Sequence, residues 1–265
     1  MGIFRNCADP SLAALRSKGY NVVQLPRVDL LPTHLLVAKG DRLQRLGELL
    51  SVFVPAPGGA PTPPIKPDKP GPNISGTKTE QIDAGIGLNI LGGLISALGG
   101  STLGINLAFA KASTLQFEFS STLENSTEVA LVDQFISSST VNPFARAVAE
   151  MLNNDEVYVV TSTLKSAKIV VSAKDSSNRS IDIDLPVISN AIGGNIRVGH
   201  EAAGSSVVSF EGAIPLVFGF QAVQLIFDRG QYRTMKLVDA GGVVAEGTAA
   251  APRMLEVGRM LSGGG

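Results

Sequence analysis

Hydrophobic positions in the first third of the chain come in short bursts cut by proline and glycine. Asp9-Pro10-Ser11 reads as a helix start, since proline is tolerated in the first turn, and Leu12, Ala13 and Leu15 give a short helix that Gly19 ends. Tyr20 to Leu25 reads as a strand stopped by Pro26, and Leu35 to Ala38 as a second. From Asp41 the spacing changes. Leu43, Leu46, Leu49 and Leu50 recur at threes and fours, which predicts a helix over DRLQRLGELLSVFV that Pro55 closes. The proline-dense run 55–72 predicts an exposed, extended loop, because no helix or central strand tolerates so many missing N–H donors. A plain surface loop and a ligand for a proline-recognising partner both fit it.

The stretch from Ala84 to Ala110 carries no charge and seven glycines. A membrane span, a buried helix and a glycine-loosened region able to change structure are the three readings open to it. A spanning helix fits poorly, because glycine, serine and asparagine interrupt the roughly 20 apolar residues that one needs. Ile90, Leu91, Leu94, Ile95 and Leu98 share a helical face, yet Gly92 and Gly93 cost it about 1 kcal/mol each against alanine. Beyond Gly99-Gly100 the period becomes two. Leu103, Ile105, Leu107 and Phe109 alternate with small or polar residues, and Leu115, Phe117 and Phe119 continue the pattern, predicting a strand far longer than the usual five or six residues.

Helical spacing returns over Glu124–Ile136, and Asn142-Pro143 offers an N-cap and first-turn proline for FARAVAEMLNND. From Asp155 the pattern is β-rich: a run over Val157–Lys174, weaker ones over Ser180–Val187 and Asn195–His200, then SVVSFEG and LVFGFQAVQLIFD before a turn at Asp228-Arg229-Gly230. The segment Met235–Ala251 is small-residue rich. After Pro252, the residues Met254, Leu255, Val257, Met260 and Leu261 fit one apolar face of a short helix.

Composition narrows the functional classes. Lysine and arginine number 22 against 23 acidic residues, so there is no electrostatic footprint for nucleic acid. Only 17% of residues are charged. The mean hydropathy is +0.23, a thin polar coat that suits either a β-rich domain or a surface that later meets lipid. With 265 residues the chain can bury a core without staples. Cys7 is the single cysteine, which excludes an internal disulfide and a cysteine-based metal site. The N-terminus lacks the apolar segment of a secretory signal, so the expected starting compartment is the cytoplasm.

The sequence offers no catalytic constellation. His34 and His200 stand 166 positions apart with no accompanying ligand pattern. Gly85-Ile86-Gly87 lacks the third glycine of a dinucleotide fingerprint, and no phosphate loop or nucleophile elbow occurs. Asp182 and Asp184 alternate on what reads as a wet strand face. The expectation is a protein that is not an enzyme and holds neither metal nor cofactor. Cys7, beside Phe4 and Arg5, fits both a buried thiol and an S-acylation site. Met1-Gly2 does not complete a myristoylation pattern, because Asn6 stands where Ser or Thr is needed.

Four pieces together resemble the gasdermin family in its short bacterial branch: GYNVVQLPRVDLLPTHLL (Gly19–Leu36), ILGGLISALGG (Ile90–Gly100) feeding a long amphipathic strand, VYVVTSTLKSAKIVV (Val157–Val171) and IPLVFGFQAVQLIF (Ile214–Phe227). The resemblance implies an α+β fold, with a twisted, mostly antiparallel central sheet, surrounding helices and a short C-terminal inhibitory tail. It implies a pore-forming domain over 1–237 and a linker with inhibitory peptide over 238–265.

It further implies activation by a caspase-like or other protease, with Leu237 as the P1 residue before Val238. Insertion into the inner membrane as β-hairpins, assembly of a homo-oligomeric β-barrel pore from monomers, and cell death in antiphage defence would follow. Palmitate on Cys7 belongs to the same implication.

Barrel strands need about 10 residues of alternating polarity. Leu103, Ile105, Leu107, Phe109, Leu115, Phe117, Val157, Val159, Ile169 and Val171 are the expected membrane-strand residues. Lys165, Lys168, Lys174, Arg179 and Arg197 suit either anionic lipid or a solvated strand face. Met254, Leu255, Val257, Met260 and Leu261 form the expected inhibitory tail. An acylated membrane scaffold without pore activity is the competing reading.

Overall fold

In the computed structural model, residues 19–27, 29–39, 42–72, 74–78, 113–181, 188–189, 196–200, 207–237 and 260–261 are described. Among them are fifteen strands and three short helices. Thirteen strands belong to one sheet, and almost all of its pairings are antiparallel. The fold is thus the α+β, sheet-dominated architecture expected.

Strands β1 (Asn21–Arg27), β2 (His34–Lys39) and β3 (Arg42–Glu48) come first, followed by a single helical turn, α1 (Leu49–Val52). The helix expected over 41–54 is therefore mostly strand. β3 pairs with β2 from Lys39↔Arg42 to His34↔Glu48, with a bulge opposite Leu35/Leu36. Pairing overrides local spacing here because it buries Leu43 completely and puts Leu46 and Leu49 against a different cluster. β1 likewise runs through Pro26 instead of ending before it.

After β4 (Phe53–Pro55), the proline-dense run is more than a loop. Its end forms an edge strand, β5 (Lys66–Pro70), antiparallel to β8 (Leu123–Ser126), an edge position being where proline fits in a sheet. Side chains strap the run down. Thr127 Oγ1 donates to Pro64 O at 3.0 Å, Thr122 Oγ1 donates to Pro72 O at 2.7 Å, and Asn125 Oδ1 accepts from Asp68 N at 2.9 Å. Strands β6 (Ile74–Lys78) and β7 (Thr114–Ser120) follow. Ala84–Ala110 lies outside the described residues.

The helix expected over 124–136 begins later, as α2 (Val129–Ser137), because its first residues are taken by β8. β9 (Ser139–Val141) pairs with β4 in a small separate sheet. Asn142 does not cap the next helix. Its Oδ1 accepts from Phe144 N at 3.0 Å in a turn, and α3 starts at Arg146 (Arg146–Asn153).

Two strands dominate the remainder: β10 (Val157–Lys174, 18 residues) and β13 (Val207–Asp228, 22 residues), paired along nearly their whole length. β11 (Ile188–Ser189) and β12 (Ile196–His200) lie beyond β13, β14 (Gln231–Leu237) forms a hairpin with it, and β15 (Met260–Leu261) ends the described chain.

Burial on both faces explains the unbroken apolar runs in β2, β10 and β13, where successive side chains serve opposite layers. Leu36, Leu43, Tyr158, Val160, Val217, Phe220 and Ala222 form one cluster with Leu30. Leu35, Val157, Val159, Val223, Leu225 and Phe227 form another with the helices. In that helical layer Phe227 stacks on Phe53, with ring centroids 6.2 Å apart, and tilts against Tyr232 at 5.6 Å. The Tyr232 hydroxyl donates to the Asp133 carboxylate, clamping α2 onto β14. Burial first, and Asp133 second, push the Tyr232 phenol far above its usual value.

A proton held more tightly in the folded state gives stability below the unfolded value near 10.0 that is lost as pH rises above it. Tyr232→Phe is expected to cost about 1.5–3 kcal/mol in urea unfolding at neutral pH, the cost of a hydrogen bond to a charged group. The gap to the parent should shrink as pH climbs past 10, and a gap independent of pH would contradict the clamp.

Candidate functional site: a closing strand and two long strands

Five strands in series, β1–β13–β10–β2–β3, alternate in direction. The first and last of them therefore point the same way. Between them lies β15, parallel to both, with Val22↔Met260 and Val23↔Leu261 on one side and Leu261↔Leu43 on the other. The result is a closed ring of six strands around the cluster containing Leu43, Tyr158 and Phe220. Two residues of the C-terminal segment close it.

Met260 and Leu261 thus do not continue the helix expected over 252–261; they are extended. The edges of β1 and β3 present rows of main-chain donors and acceptors that an extended segment satisfies and a helix does not. Met254, Leu255 and Val257 lie outside the described residues.

Beyond the ring, the far halves of β10 and β13 continue into a second antiparallel array in the order β6–β7–β10–β13–β12–β11. Leu115, Phe117 and Phe119 of β7 stand opposite Ala173, Val171 and Ile169 of β10. Leu103, Ile105, Leu107 and Phe109 lie outside the described residues. Val157 and Val159 sit on β10 too, but at its ring end, fully buried in the helical-side cluster. The structure therefore divides those of the expected membrane-strand residues that are described between a packed core and the extension.

The two halves meet at a disrupted ladder. Ser166 pairs with Leu216 and Lys168 with Glu211, so Ala167 alone on β10 faces Gly212, Ala213, Ile214 and Pro215 on β13. A proline inside a long strand is tolerated at such a bulge. The buried Ser166 Oγ lies 2.7 Å from both Ser120 O and Lys168 O and accepts Lys168 N–H at 3.1 Å, tying the backbones of β7 and β10 at the step.

Buried polar side chains crowd the ring side of the step. Ser162 Oγ donates to Glu124 Oε1 at 2.5 Å and Tyr20 Oη donates to the same oxygen at 3.2 Å. Burial, with a smaller contribution from the Glu124 charge, pushes the Tyr20 phenol up to about 12. Thr163 Oγ1 and Asn21 Oδ1, on either side of Phe220 in the ladder, have no hydrogen-bond partner. Each such orphan costs about 1–3 kcal/mol, so the wall beside β1 is the ring's weaker part.

Of the expected lipid-facing cations, Lys165 is engaged with Asp68 of the strap at 2.5 Å. Arg179 N donates to Asp175 Oδ1 at 2.9 Å in a turn, and Arg197 lies on β12. Leu237, the expected P1 residue, is the last residue of β14 and 63% exposed. Val238 and Cys7 lie outside the described residues. His34 is buried, and its Nδ1 accepts from Leu31 N at 3.2 Å within the β1–β2 connection. Among the described residues no group of three His, Cys, Asp or Glu could hold a metal. No described helix is long and apolar enough to cross a membrane, a statement that does not concern strands.

A family profile described as "Bacterial Gasdermin Family" matches residues 23–231. The chain is 65% identical over 246 residues to "Gasdermin bGSDM" of Lysobacter enzymogenes, covering 93% of this chain and 91% of that one. It is 39% identical to the protein of the same name from a Desulfuromonadales bacterium, covering 93% and 92%. With the one from Vitiosangium sp. it shares 33% identity, covering 96% and 97%. Among solved structures, a bacterial gasdermin from Bradyrhizobium tropiciagri shares the fold, with TM-score 0.53 at 18% identity over 89% of this chain and 96% of that one. The ring, the long strands and these relatives lead to one conclusion: the chain belongs to the bacterial gasdermin family, whose members are pore-forming effectors and not enzymes.

Proposed function

We propose that this chain is the latent form of a pore-former, locked by its own C-terminal segment. Proteolytic removal of that segment lets the N-terminal part, 1–237, insert in the bacterial inner membrane and oligomerise into a large β-barrel pore, killing the cell in defence against phage. The observation that carries this reading is the two-residue strand Met260–Leu261 closing a ring between β1 and β3.

So short a strand is held by few hydrogen bonds, each contributing about 0.5–1.5 kcal/mol net. It stays in place because the connection 238–259 keeps it at roughly millimolar effective concentration. A cut between Leu237 and Met260 ends that tether. The strand then leaves, and two parallel edges are exposed at the weaker wall.

The long strands supply the membrane part. Backbone in lipid must be fully paired, so a sheet protein enters only as a closed barrel. The extension of β7, β10, β13 and β12 is already antiparallel, and subunits placing such strands side by side close a barrel together. A caspase-like or other protease is the activator, with Leu237 as P1 residue on its exposed strand end. Palmitate on Cys7 anchors the subunit, since one acyl chain gives reversible membrane attachment that a second contact makes lasting.

Dye release from liposomes of bacterial lipid tests the lock. Full-length protein carrying a site-specific protease sequence within 240–245 is folded intact and then cut. Release on cutting, and none before it, is expected; silence of the cut protein, acylated or not, would leave the scaffold reading in its place. For the anchor, mass spectrometry of protein purified from bacterial membranes should find a palmitoyl adduct that Cys7→Ser abolishes. An unmodified Cys7 in membrane-bound protein would refute it.

A further inference from the structure

The gap that β15 fills has two like-directed edges one strand apart on each side, so β1 and β3 stand about 9.5 Å apart at ordinary strand spacing. An occupant that satisfies both edges must itself be free on both sides. The edge strands of the main sheet fail this requirement: β14 is paired with β13, β6 with β7, β11 with β12 and β5 with β8. The strands of the small sheet, β4 and β9, are paired with each other. Each of these can close only one edge. Among the described strands, β15 alone arrives without a hairpin partner of its own.

We propose that the β1–β3 gap is a strand-acceptor site that takes the C-terminal segment, residues 252–265, of a second copy of this chain. The reading rests on the latent pore-former described above and extends it. The mode is strand addition, in which main-chain hydrogen bonds supply the affinity and the pairing is indifferent to whether the strand is tethered. Nothing in the ladder requires the occupant to come from the same chain. The connection 238–259 only raises its local concentration.

A tail cut from one copy therefore remains an inhibitor of another while its local concentration is high. Activity starts when the released tails have diluted below the concentration that fills the gap.

The test uses full-length protein with the protease sequence in its connection, cut after folding, and a synthetic peptide of residues 252–265. Binding of the fluorescently labelled peptide is read by anisotropy without lipid, and dye release is read with liposomes of bacterial lipid. The control peptide carries Leu261→Pro, which cannot donate to the ladder.

The expected result is half-saturation at or below roughly millimolar peptide, the scale of the lost tether, with at least a tenfold fall in release rate and no effect of the control. Equal behaviour of the two peptides, or no binding at several times that concentration, overturns the acceptor site. If the peptide binds but cut protein never releases dye, the site stands and the pore reading falls.

Discussion

Strand direction is the constraint on which the rest of this molecule depends. A ring made by antiparallel pairing alone needs an even number of strands, and this chain brings five: β1, β13, β10, β2 and β3. The end strands therefore run the same way, and β15 lies between them, parallel to both. In the structure the filler comes from more than 200 residues along the chain from β3 and contributes two residues. The closure is energetically slight, resting on two residues. So slight a closure suits the proposed release of the tail.

The long strands link that closure to the rest of the protein. β10 and β13 belong to the ring at one end and to the six-stranded extension at the other, and between them lies the bulge of Gly212–Pro215 with the Ser166 hydroxyl at its base. A strand that is continuous but not uniformly paired can keep one half fixed while the other changes direction. The proline-dense strap sits at the same junction, holding β8 beside β10 through Asn125, Thr127 and the Lys165–Asp68 pair. In the proposed conversion the ring opens beside β1 and the extension moves, with the helical-side core around Phe135 and Phe227 left packed.

Much of the sheet was legible in the sequence because apolar runs bounded by turns mark buried strands. Val157–Lys174 appears with both ends as expected, and the turn at Asp228-Arg229-Gly230 joins β13 to β14. In the segment 41–54, leucines at threes and fours mimic a helix while serving two different layers of a sheet. The two-residue Gly40-Asp41 step between two apolar runs is the sequence's hairpin signal here. The proline-dense run has the local pattern of a loop, because an edge strand differs from a loop only in having a neighbour, which no local pattern records. The closing strand was least legible of all. Met260 and Leu261 stand out in the sequence as apolar, but their extended conformation is set by pairing with β1 and β3, which no pattern within residues 252–265 records.

Hydrogen exchange at the amides of β1 and β3 tests the closing strand most directly, comparing intact protein with protein cut in its connection and dialysed free of the tail, in the absence of lipid. Faster exchange at Val22, Val23 and Leu43, with unchanged protection at Leu36 and Tyr158 in the distant β2–β10 ladder, is the predicted result. Identical protection at β1 and β3 before and after the tail is lost would contradict a ring closed by Met260 and Leu261.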